Sequence, residues 1–450
     1  MERKLQVLAA AATAASALTG PAAPGSGTTP APEPEAKVVA TGLKDPYELI
    51  VGPDGYLWLT EKSGLKVKRI KPDTGAVSTV LDLSGQAIHT PTSKDGLLGL
   101  ALHPDFGKGK GTDHVYLSHT YRGRDGNNTK LARYTWTDGT LTGARDILTG
   151  LPSSIDHQSA RLRYGPDGML YYTIGDQGNN YDTRHCLPNH AQTLPTGDQV
   201  ANRNWTAYQG KVLRMTPEGS IPGDNPVING VRSHVYAYGF RNPDGMVFKG
   251  ERLFVADQGP STDDELNRIE AGKNYGWPYI AGHRDDQAYV YGDWAKASDC
   301  AKLPYDPNKI PPQVPQTRES AFTKAVQRPL TTYGTTVRNG HDFGLTPPCT
   351  EEKLAYMCWP TLAPSSVEVA GDDLVVAMLK EGVVHRVSDE GTTKGRLYRT
   401  VNRYRDTAAS PDGRTLYIAV DSAGVTRDPR GAPTTRLADP GAILAVPYRP

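Results

Sequence analysis

Hydrophobic and polar positions along the chain follow a short recurring unit with the period of a β-strand. Each unit consists of an apolar arm, a turn often built on Pro-Asp or Gly-Asp, and a second arm rich in β-branched or aromatic residues. Pro-Asp-Gly favours a turn because Pro presets φ, Asp hydrogen-bonds its own backbone and Gly accepts a positive φ. Six copies of the unit occupy residues 49–61, 99–121, 162–176, 246–257, 367–379 and 408–421.

These units predict an all-β protein. Almost no segment has a long helical period, and the 47 Gly and 36 Pro residues argue against helices. Repeated strand–turn–strand units in a long chain are typical of propellers, so we predict a six-bladed β-propeller of four-stranded antiparallel blades. The irregular spacing of the units predicts long inter-strand loops, above all in the polar, Pro-rich segment 284–348. A pair of β-sandwiches is the alternative fold.

The first 35 residues differ from the rest of the chain. The stretch MERKLQVLAAAATAASAL has a charged start, a run of small apolar residues and nearby Ala-x-Ala sites, and it precedes a segment rich in Ala, Pro and Gly. This pattern is typical of a secretory signal peptide followed by a flexible linker, although an uncleaved disordered tail would have the same composition. We therefore predict a signal peptide and linker over 1–35, a catalytic propeller over 36–450, and a secreted or periplasmic protein with no membrane span.

Charge and cysteine content narrow the function classes. The 50 basic and 49 acidic residues are balanced, so a nucleic-acid partner lacks its electrostatic footprint. The even cysteine count suggests disulfides in an exported protein, and the absence of CxxC disfavours zinc. Cys349 and Cys358 are close enough in sequence to close a short loop. Cys186 would pair with Cys300 by elimination, and the sequence leaves open whether that bond forms.

One predicted hairpin, SSIDHQSARLRYGPDGMLYYTIGDQG, carries charged residues at its open end. With GPDG as a four-residue loop, Tyr164 faces Met169 and His157 falls opposite Asp176, to within about one residue. A carboxylate beside a histidine fixes one tautomer and leaves the other ring nitrogen as a base. The pair is therefore a candidate catalytic unit, although a surface ion pair without function would give the same pattern.

Cationic residues recur at predicted strand ends. Arg403 and Arg405 are two residues apart and share one face of a strand. Lys380 follows another apolar strand, and Arg241 with Asn242 precedes the turn in FRNPDGM. Such cations are suited to an anionic pocket because guanidinium groups match carboxylates bidentately, although unrelated surface arginines would give the same spacing.

The segment ADQGPSTDDELNRI is a candidate cation-binding loop. Gly259 and Pro260 offer turn carbonyls, and Asp263, Asp264 and Glu265 offer the hard oxygens that Ca²⁺ prefers. The segment lacks EF-hand spacing, and acidic loops are often only solvated. The chain contains no GxxxxGK[ST], HExxH or GxSxG motif and no GxGxxG after a strand, which disfavours nicotinamide enzymes, zinc hydrolases and serine esterases.

Taken together, these motifs resemble the glucose/sorbosone dehydrogenase family, the soluble quinoprotein aldose dehydrogenases that use pyrroloquinoline quinone (PQQ). The resemblance runs from about residue 38 to the C-terminus and is carried by DGLLGLALHPDF, DHQSARLRYGPDGMLYYTIGDQG, QGKVLRMTPEGSIPGDNP, FRNPDGM, DQGPSTDDELNRI, NYGWPYIAG, YMCWPTLAPSS and NRYRDTAASPDG. It implies a six-bladed propeller, in agreement with the repeat count. It also implies PQQ- and Ca²⁺-dependent oxidation of an aldose at C1 to the lactone, with electrons passed to an external acceptor.

The resemblance assigns roles by position. His157 would be the general base for the C1 hydroxyl, Asp176 would orient it, and Arg241 would stabilise the reduced quinone. The implied substrate-binding residues are Asp156, Lys94, Tyr181, Tyr356 and Trp359. The implied cofactor-binding residues are Arg241, Asn242, Thr361, Lys380, Arg403 and Arg405. The implied calcium ligands are the carbonyls of Gly259 and Pro260, with a second cluster of Glu265, Tyr275, Ala281, Asp285 and Glu319. A Cys349–Cys358 bond would rigidify the loop that carries the aromatic residues.

The chain departs from the family pattern mainly on the sugar side. Lys94 and Tyr181 stand where the family has Gln, Phe240 stands where it has His, and His283 replaces a Tyr in the second calcium cluster. The preferred sugar is therefore not implied. The resemblance also implies a homodimer, which accompanies that calcium cluster in the family. Two other classes remain open from the residues alone, namely a calcium-dependent propeller lactonase and a non-catalytic sugar-binding propeller.

Overall fold

The computed structural model describes residues 35–287, 289–307, 309–334 and 354–449. The strand β1 (Lys37–Ala40) precedes the first blade. Blade 1 consists of β2 (Pro46–Val51), β3 (Leu57–Glu61), β4 (Lys66–Ile70) and β5 (Val77–Asp82). Blade 2 consists of β6 (Leu97–Leu102), β7 (His114–Arg122), β8 (Asn127–Thr137) and β9 (Thr140–Pro152). Blade 3 consists of β10 (Ser159–Tyr164), β11 (Leu170–Ile174), β12 (Lys211–Met215) and, after the hairpin of β13 (Val227–Ile228) and β14 (Val231–Arg232), β15 (Val235–Tyr238).

The remaining three blades carry longer insertions. Blade 4 consists of β16 (Pro243–Lys249), β17 (Arg252–Asp257), β18 (Asp264–Ile269) and, after the pair β19 (Tyr291–Gly292) and β20 (Gln316–Thr317), β21 (Thr331–Tyr333). Blade 5 consists of β22 (Pro364–Ala370), β23 (Asp373–Met378), β24 (Val383–Val387) and β25 (Thr393–Arg399). Blade 6 contains β26 (Tyr404–Ala409), β27 (Thr415–Val420) and, after the pair β28 (Thr426–Arg427) and β29 (Pro433–Thr434), β30 (Ile443–Pro447).

Helical structure within the described residues is short. The α-helices are α1 (Gly197–Ala201) and α2 (Ala355–Cys358). The 3₁₀ turns are Asp182–Arg184, Thr206–Tyr208, Trp294–Lys296, Cys300–Lys302 and Glu319–Ala321. None of the helices in the described ranges has the length and apolar character needed to cross a membrane.

The six blades close into a ring, which confirms the predicted six-bladed propeller. The sixth sheet has the order β26–β27–β30–β1, so the N-terminal strand forms the outer edge of the last blade. The first strands of successive blades contact one another, and β26 of the last blade contacts β2 of the first. Six hydrophobic clusters fill the spaces between adjacent blades. Each blade is a separate four-stranded sheet, so the ring leaves only short outer edges, as is typical of propellers.

One fully buried arginine joins five of the six blades at the axis. Arg161, on β10, donates from Nε to the carbonyl oxygen of Asp244 at 2.6 Å and from Nη1 to that of Tyr47 at 2.9 Å. Its Nη2 donates to the carbonyl oxygens of Ser365 at 2.6 Å and Arg405 at 3.0 Å. These four acceptors belong to β16, β2, β22 and β26. A single side chain therefore fixes the relative positions of strands that carry the cavity residues described below.

A disulfide links the long loop of blade 3 to the insertion of blade 4. Cys186 and Cys300 are bonded, with their Cα atoms 5.8 Å apart, which confirms the pairing that the sequence left open. The predicted Cys349–Cys358 bond involves Cys349, which lies outside the described residues. The predicted signal peptide and linker lie almost wholly outside them as well.

Candidate active site

The β10–β11 hairpin has a register that differs from the predicted one at its closed end. Tyr164 pairs with Leu170 and not with Met169, so the loop is one residue longer than predicted. A β-bulge between Ser159 and Leu162 then adds one residue to β10. The longer loop and the bulge cancel, and the register at the open end returns to the predicted one.

His157 and Asp176 meet just beyond the ends of these two strands. Ser159 pairs with Ile174, and His157 Nδ1 lies 2.6 Å from Asp176 Oδ1. His157 has a φ of 44°, a left-handed conformation that is uncommon for residues other than Gly and is found at functional sites. The predicted His–carboxylate pair is present in the structure, and both side chains are buried.

Asp176 is held by four hydrogen-bond donors. Its Oδ1 accepts from His157 Nδ1 and from the N–H of Gly178 at 2.9 Å. Its Oδ2 accepts from Asn189 Nδ2 at 2.9 Å and from Trp277 Nε1 at 2.8 Å. These donors fix the position of the carboxylate. Because Asp176 accepts from His157 Nδ1, Nε2 is the ring nitrogen left to act as a base. Sequence reasoning did not identify Asn189 or Trp277 as part of this arrangement.

Trp277→Phe tests whether the indole donor matters to Asp176. We expect kcat to fall by about tenfold, because the loss of one hydrogen bond to a charged group loosens the His157 partner, while KM changes little. Trp58→Phe is a matched control, since Trp58 Nε1 also donates to a carboxylate, that of Asp54, at 3.1 Å. Steady-state kinetics of both variants with the same substrate would measure kcat and KM separately. Equal kcat losses in the two variants would assign the effect to general destabilisation.

A cavity of about 340 Å³ lies beside His157. It brings together residues predicted to serve catalysis, substrate binding and cofactor binding, and also the two residues, Gly259 and Pro260, whose carbonyls are predicted to bind calcium. The predicted residues that line it are Lys94, Asp156, His157, Tyr181, Arg241, Asn242, Gly259, Pro260, Tyr356, Trp359, Thr361, Lys380, Arg403 and Arg405. Asp176 lies behind His157 and does not line it. The lining residues that sequence reasoning did not assign to this pocket are Tyr47, Gln158, Ser159, Asp244, Gln258, Asp264, Ala363 and Leu379. Asp244 follows closely after Arg241 and Asn242 in FRNPDGM, which is the signal that could have found it.

Two cavity arginines are held in place by buried carboxylates. Arg405 donates from Nε and Nη2 to the two oxygens of Asp421, each at 2.9 Å, and from Nη1 to Asp244 at 3.0 Å. Arg403 donates from Nε to Asp421 at 3.2 Å. Burial opposes ionisation of Asp421, but Arg405 and Arg403 hold its pKa well below the ordinary value. Both guanidinium groups are therefore charged and oriented before any ligand binds.

Two cavity lysines lack a carboxylate partner among the described residues. Lys380 donates to the carbonyl oxygen of Trp359 at 2.9 Å and to Thr361 Oγ1 at 3.1 Å, and burial lowers its pKa well below the ordinary value. The Lys94 side chain is solvent-exposed and lines the cavity. Its pKa is lowered to about 8, because protein atoms displace water from the ammonium group and Arg405 repels it. An anion in the cavity would offset both costs.

Arg241 presents its guanidinium group between aromatic rings. Its Cζ lies 5.1 Å from the ring centroid of Tyr181 and 5.6 Å from that of Trp277. Its Nη1 donates to the carbonyl oxygen of Gln258 at 3.2 Å, and its buried Nε has no hydrogen-bond partner among the residues that the structure describes. The main-chain N–H groups of Arg241 and Asn242 donate to the two carboxylate oxygens of Asp257, at 3.0 and 2.6 Å. These bonds fix this corner of the cavity.

The Gly259–Pro260 turn is anchored by Asp264. Asp264 Oδ1 accepts from the N–H of Gly259 at 2.9 Å, and its Oδ2 accepts from that of Ala363 at 2.9 Å. A Cβ at position 259 would lie 2.4 Å from the carbonyl oxygen of Thr262, so this close approach requires glycine. Among the described residues, no N–H or O–H group donates to the carbonyl oxygens of Gly259 and Pro260. These carbonyls are therefore available to a hard cation.

Four residues of the implied second calcium cluster, Glu265, Ala281, Asp285 and Glu319, gather around one loop, while the hydroxyl of the fifth, Tyr275, bonds elsewhere. Glu319 accepts from the N–H groups of Ala281 at 3.0 Å and Asp285 at 3.2 Å. Glu265 accepts from the N–H of Gly282 at 2.7 Å. Burial raises the pKa of Glu319 to about 7 and that of Glu265 well above the ordinary value. The Tyr275 hydroxyl donates to the main-chain carbonyl oxygen of Arg268 at 2.7 Å. A metal at this loop stays a prediction.

A different trio of metal-type side chains is present within the described ranges. His185, Cys186 and Cys300 bring their ligand atoms within 4.8 Å of one another. The two sulfur atoms form the disulfide described above, so they are not available as thiolate ligands. This trio is therefore not a metal centre in the oxidised protein.

Comparison with known proteins agrees with the fold and identifies the family. Residues 43–305 match the family described as glucose/sorbosone dehydrogenase. The chain is 39% identical over 443 residues to quinoprotein glucose dehydrogenase B of Acinetobacter calcoaceticus, covering 92% of this chain and 91% of that protein. It is 29% identical over 251 residues to aldose sugar dehydrogenase YliI of Escherichia coli, covering 54% of this chain and 61% of that protein.

Solved structures share the architecture. The PQQ-bound form of aldose sugar dehydrogenase from Streptomyces coelicolor superposes with a TM-score of 0.61 at 23% identity, covering 92% of this chain and 98% of that one. The apo-form of the soluble aldose sugar dehydrogenase from Escherichia coli gives a TM-score of 0.60 at 22% identity, with 92% and 99% coverage. At these identities the superpositions establish the propeller fold, and the sequence matches establish the kinship. The chain belongs to the glucose/sorbosone dehydrogenase family.

Proposed function

We propose that this protein is a PQQ- and calcium-dependent dehydrogenase that oxidises an aldose at C1 to the lactone and passes the electrons to an external acceptor. The observation that carries the proposal is the convergence, in one cavity, of the His157–Asp176 pair with a set of cations. Family membership supports it, as do the names of the relatives, one a quinoprotein glucose dehydrogenase and another an aldose sugar dehydrogenase.

The cavity residues fit a planar cofactor with three carboxylates. Arg403 and Arg405 are charged and oriented, and Lys380 has no carboxylate partner among the described side chains. The Nε of Arg241 is buried without a hydrogen-bond acceptor, a costly arrangement in the absence of a ligand. Asn242 and Thr361 would add polar contacts. An anionic occupant would satisfy these groups together.

The chain's own residues would divide the reaction among themselves. PQQ supplies the hydride-accepting quinone when bound, and the protein supplies binding, orientation and electrostatics. His157 Nε2 would take the proton of the C1 hydroxyl, with Asp176 holding the ring in the required tautomer. Arg241 would donate toward negative charge that develops during hydride transfer. Asp156 Oδ2, 3.8 Å from His157 Nε2, would position the sugar hydroxyl at the base.

Calcium and the aromatic residues would complete the site. The carbonyl oxygens of Gly259 and Pro260 would hold Ca²⁺, which acts as a Lewis acid toward a bound carbonyl. Tyr356 and Trp359 both line the cavity and would form an apolar wall over sugar and cofactor. The Cys186–Cys300 disulfide supports export to an oxidising compartment. The aldose and an external electron acceptor would be the partners, and a homodimer remains a proposal from the family resemblance.

A titration of purified apo-protein with PQQ and Ca²⁺ tests the proposal. We expect dye reduction with at least one aldose, and we expect it to require both additions and to stop when a chelator removes the metal. Tight binding of PQQ without turnover of any aldose would retain the cofactor site and reject the substrate class. Lactone hydrolysis in the absence of quinone, with no PQQ binding, would favour the calcium-dependent lactonase.

Lys380→Gln should weaken PQQ binding by about tenfold, because one charge-assisted hydrogen bond to a carboxylate is lost. The dependence of affinity on salt should also become shallower. Lys394→Gln is the matched control, since Lys394 lies on the outer strand of the same blade and its side chain is 44% exposed. Fluorescence titration of the apo-proteins measures both affinities without turnover. Unchanged PQQ affinity in Lys380→Gln would remove this residue from the cofactor site.

A further inference from the structure

A second cavity, of about 230 Å³, adjoins the first on its sugar side. Lys94, Asp156 and Tyr181 line both cavities. The second cavity is lined by none of the cations assigned to the cofactor, which are Arg241, Lys380, Arg403 and Arg405. The space therefore leads away from the cofactor and begins at the residues assigned to the substrate. Its occupant would be a part of the substrate beyond the ring that reacts.

The second cavity is lined by groups that bind carbohydrate or carboxylate. Arg184 donates from Nε and Nη2 to Asn179 Oδ1 at 3.2 and 2.8 Å, which fixes the guanidinium group and leaves its other N–H groups free. No described carboxylate forms an ion pair with Arg184 or Lys94. The hydroxyls of Thr92 and Thr183 also line the space, and neither makes a hydrogen bond to a described residue. Donors without partners are therefore concentrated here.

The pairing of the charges, and not their number, favours an acidic occupant, because two cations and two carboxylates line the second cavity. Of the two carboxylates, Asp156 lies beside His157 and Asp182 is exposed. Asp176 and Asp156 attract Arg184, whereas the charges that act on Lys94 are mainly repulsive, with Arg405 and Arg403 ahead of the attraction from Asp156. A neutral sugar would leave both cations of the second cavity unpaired, whereas a carboxylate would pair with them.

We propose that the second cavity is a subsite for the uronic acid residue of a reducing disaccharide, with Lys94 and Arg184 as its carboxylate-binding groups. This inference rests on the proposed function, since the reducing sugar must still reach His157. It adds a specificity that comes from this chain's own residues at positions 94 and 184. The substrate class is an acidic disaccharide whose neutral reducing end occupies the first cavity.

The test compares two disaccharides that differ by one group. Cellobiouronic acid carries a carboxylate where cellobiose carries a hydroxymethyl group, and both present the same reducing glucose. With enzyme reconstituted with PQQ and Ca²⁺, we expect kcat/KM for the acid to exceed that for cellobiose by about tenfold, the value of one charge-assisted hydrogen bond in a half-exposed groove. The preference should lie in KM, because the contact is remote from the reacting atoms, and it should shrink in high salt.

Arg184→Gln should bring the acid-to-neutral ratio close to one, and Arg184→Lys should retain part of the preference. The readout is the acid-to-neutral ratio within each variant, because the charge of Arg184 also acts on Asp176 and its loss should change the turnover of both disaccharides equally. Arg124→Gln is the matched control, since the Arg124 side chain is 95% exposed and lies outside both cavities. If Arg184→Gln does not fold, Thr183→Trp replaces it. That variant should fill the cavity and lower kcat/KM for both disaccharides while sparing glucose.

The outcomes separate the two proposals. Turnover of glucose together with an acid-to-neutral ratio of one in the wild type would overturn the acidic subsite and leave the dehydrogenase standing. Disaccharide turnover that is unaffected by Thr183→Trp would show that the second cavity is not used. Absence of turnover with every sugar, despite bound PQQ and Ca²⁺, would overturn the proposed function and the subsite with it.

Discussion

His157→Asn is expected to lower kcat by about a thousandfold, within the roughly 10²–10⁴-fold range of a general base, while PQQ binding persists. The variant removes the basic Nε2 of the imidazole ring, which Asp176 orients through Nδ1 at 2.6 Å. Asparagine tolerates the left-handed backbone found at this position, where φ is 44°, so the loop should keep its conformation. The loss should therefore appear in turnover and not in cofactor affinity or stability.

The measurement is dye reduction at saturating aldose, with a parallel PQQ titration of the apo-variant. His103→Asn is a matched control, because His103 lies in a blade 2 loop away from the cavity and its ring nitrogen Nδ1 accepts the N–H of Asp105 at 3.1 Å. A His157→Asn enzyme with more than a tenth of wild-type kcat would assign proton abstraction to another group.

The parts of the fold that could be predicted are those whose two faces are buried. Each of the six sequence units coincides with the first two strands of a blade, as 49–61 does with β2 and β3. These inner strands are buried on both faces, as in β23 and β3. The outer strands β5 and β25 are mostly exposed, so no hydrophobic pattern marks them. The number of blades was therefore accessible and their outer halves were not.

The site was predictable to the extent that local spacing or family motifs carry it. Arg403 and Arg405 share a strand face, and the hairpin register placed His157 opposite Asp176, although two one-residue errors had to cancel. Contacts made by distant segments left no local signal. Trp277 reaches Asp176 across 101 positions, and only the closed ring brings them together.

Arg161→Leu is expected to be the most destabilising single change in the axial region. Besides its four main-chain acceptors, Arg161 Nη1 lies 3.0 Å from Asp406 and 3.5 Å from Glu48, and all three side chains are buried. Removing one partner of a buried charge group costs about 3–5 kcal/mol, because the remaining charge is left uncompensated. The orphaned carbonyls add to that cost. The sum is a large part of the roughly 5–15 kcal/mol that stabilises a typical domain.

Thermal and denaturant unfolding of Arg161→Leu, Arg161→Lys and a surface control would measure the effect. Arg252→Leu is the control, because it breaks an ion pair with Asp389 while the Arg252 side chain is 40% exposed, and it should cost less than about 1 kcal/mol. Arg161→Lys keeps the charge but cannot reach four carbonyls, so we expect an intermediate loss. Because those carbonyls include Asp244 and Arg405, whose side chains line the cavity, Arg161→Lys should also weaken PQQ binding. If Arg161→Leu has the same melting temperature as the wild type, packing between blades, and not this axial arginine, holds the ring closed.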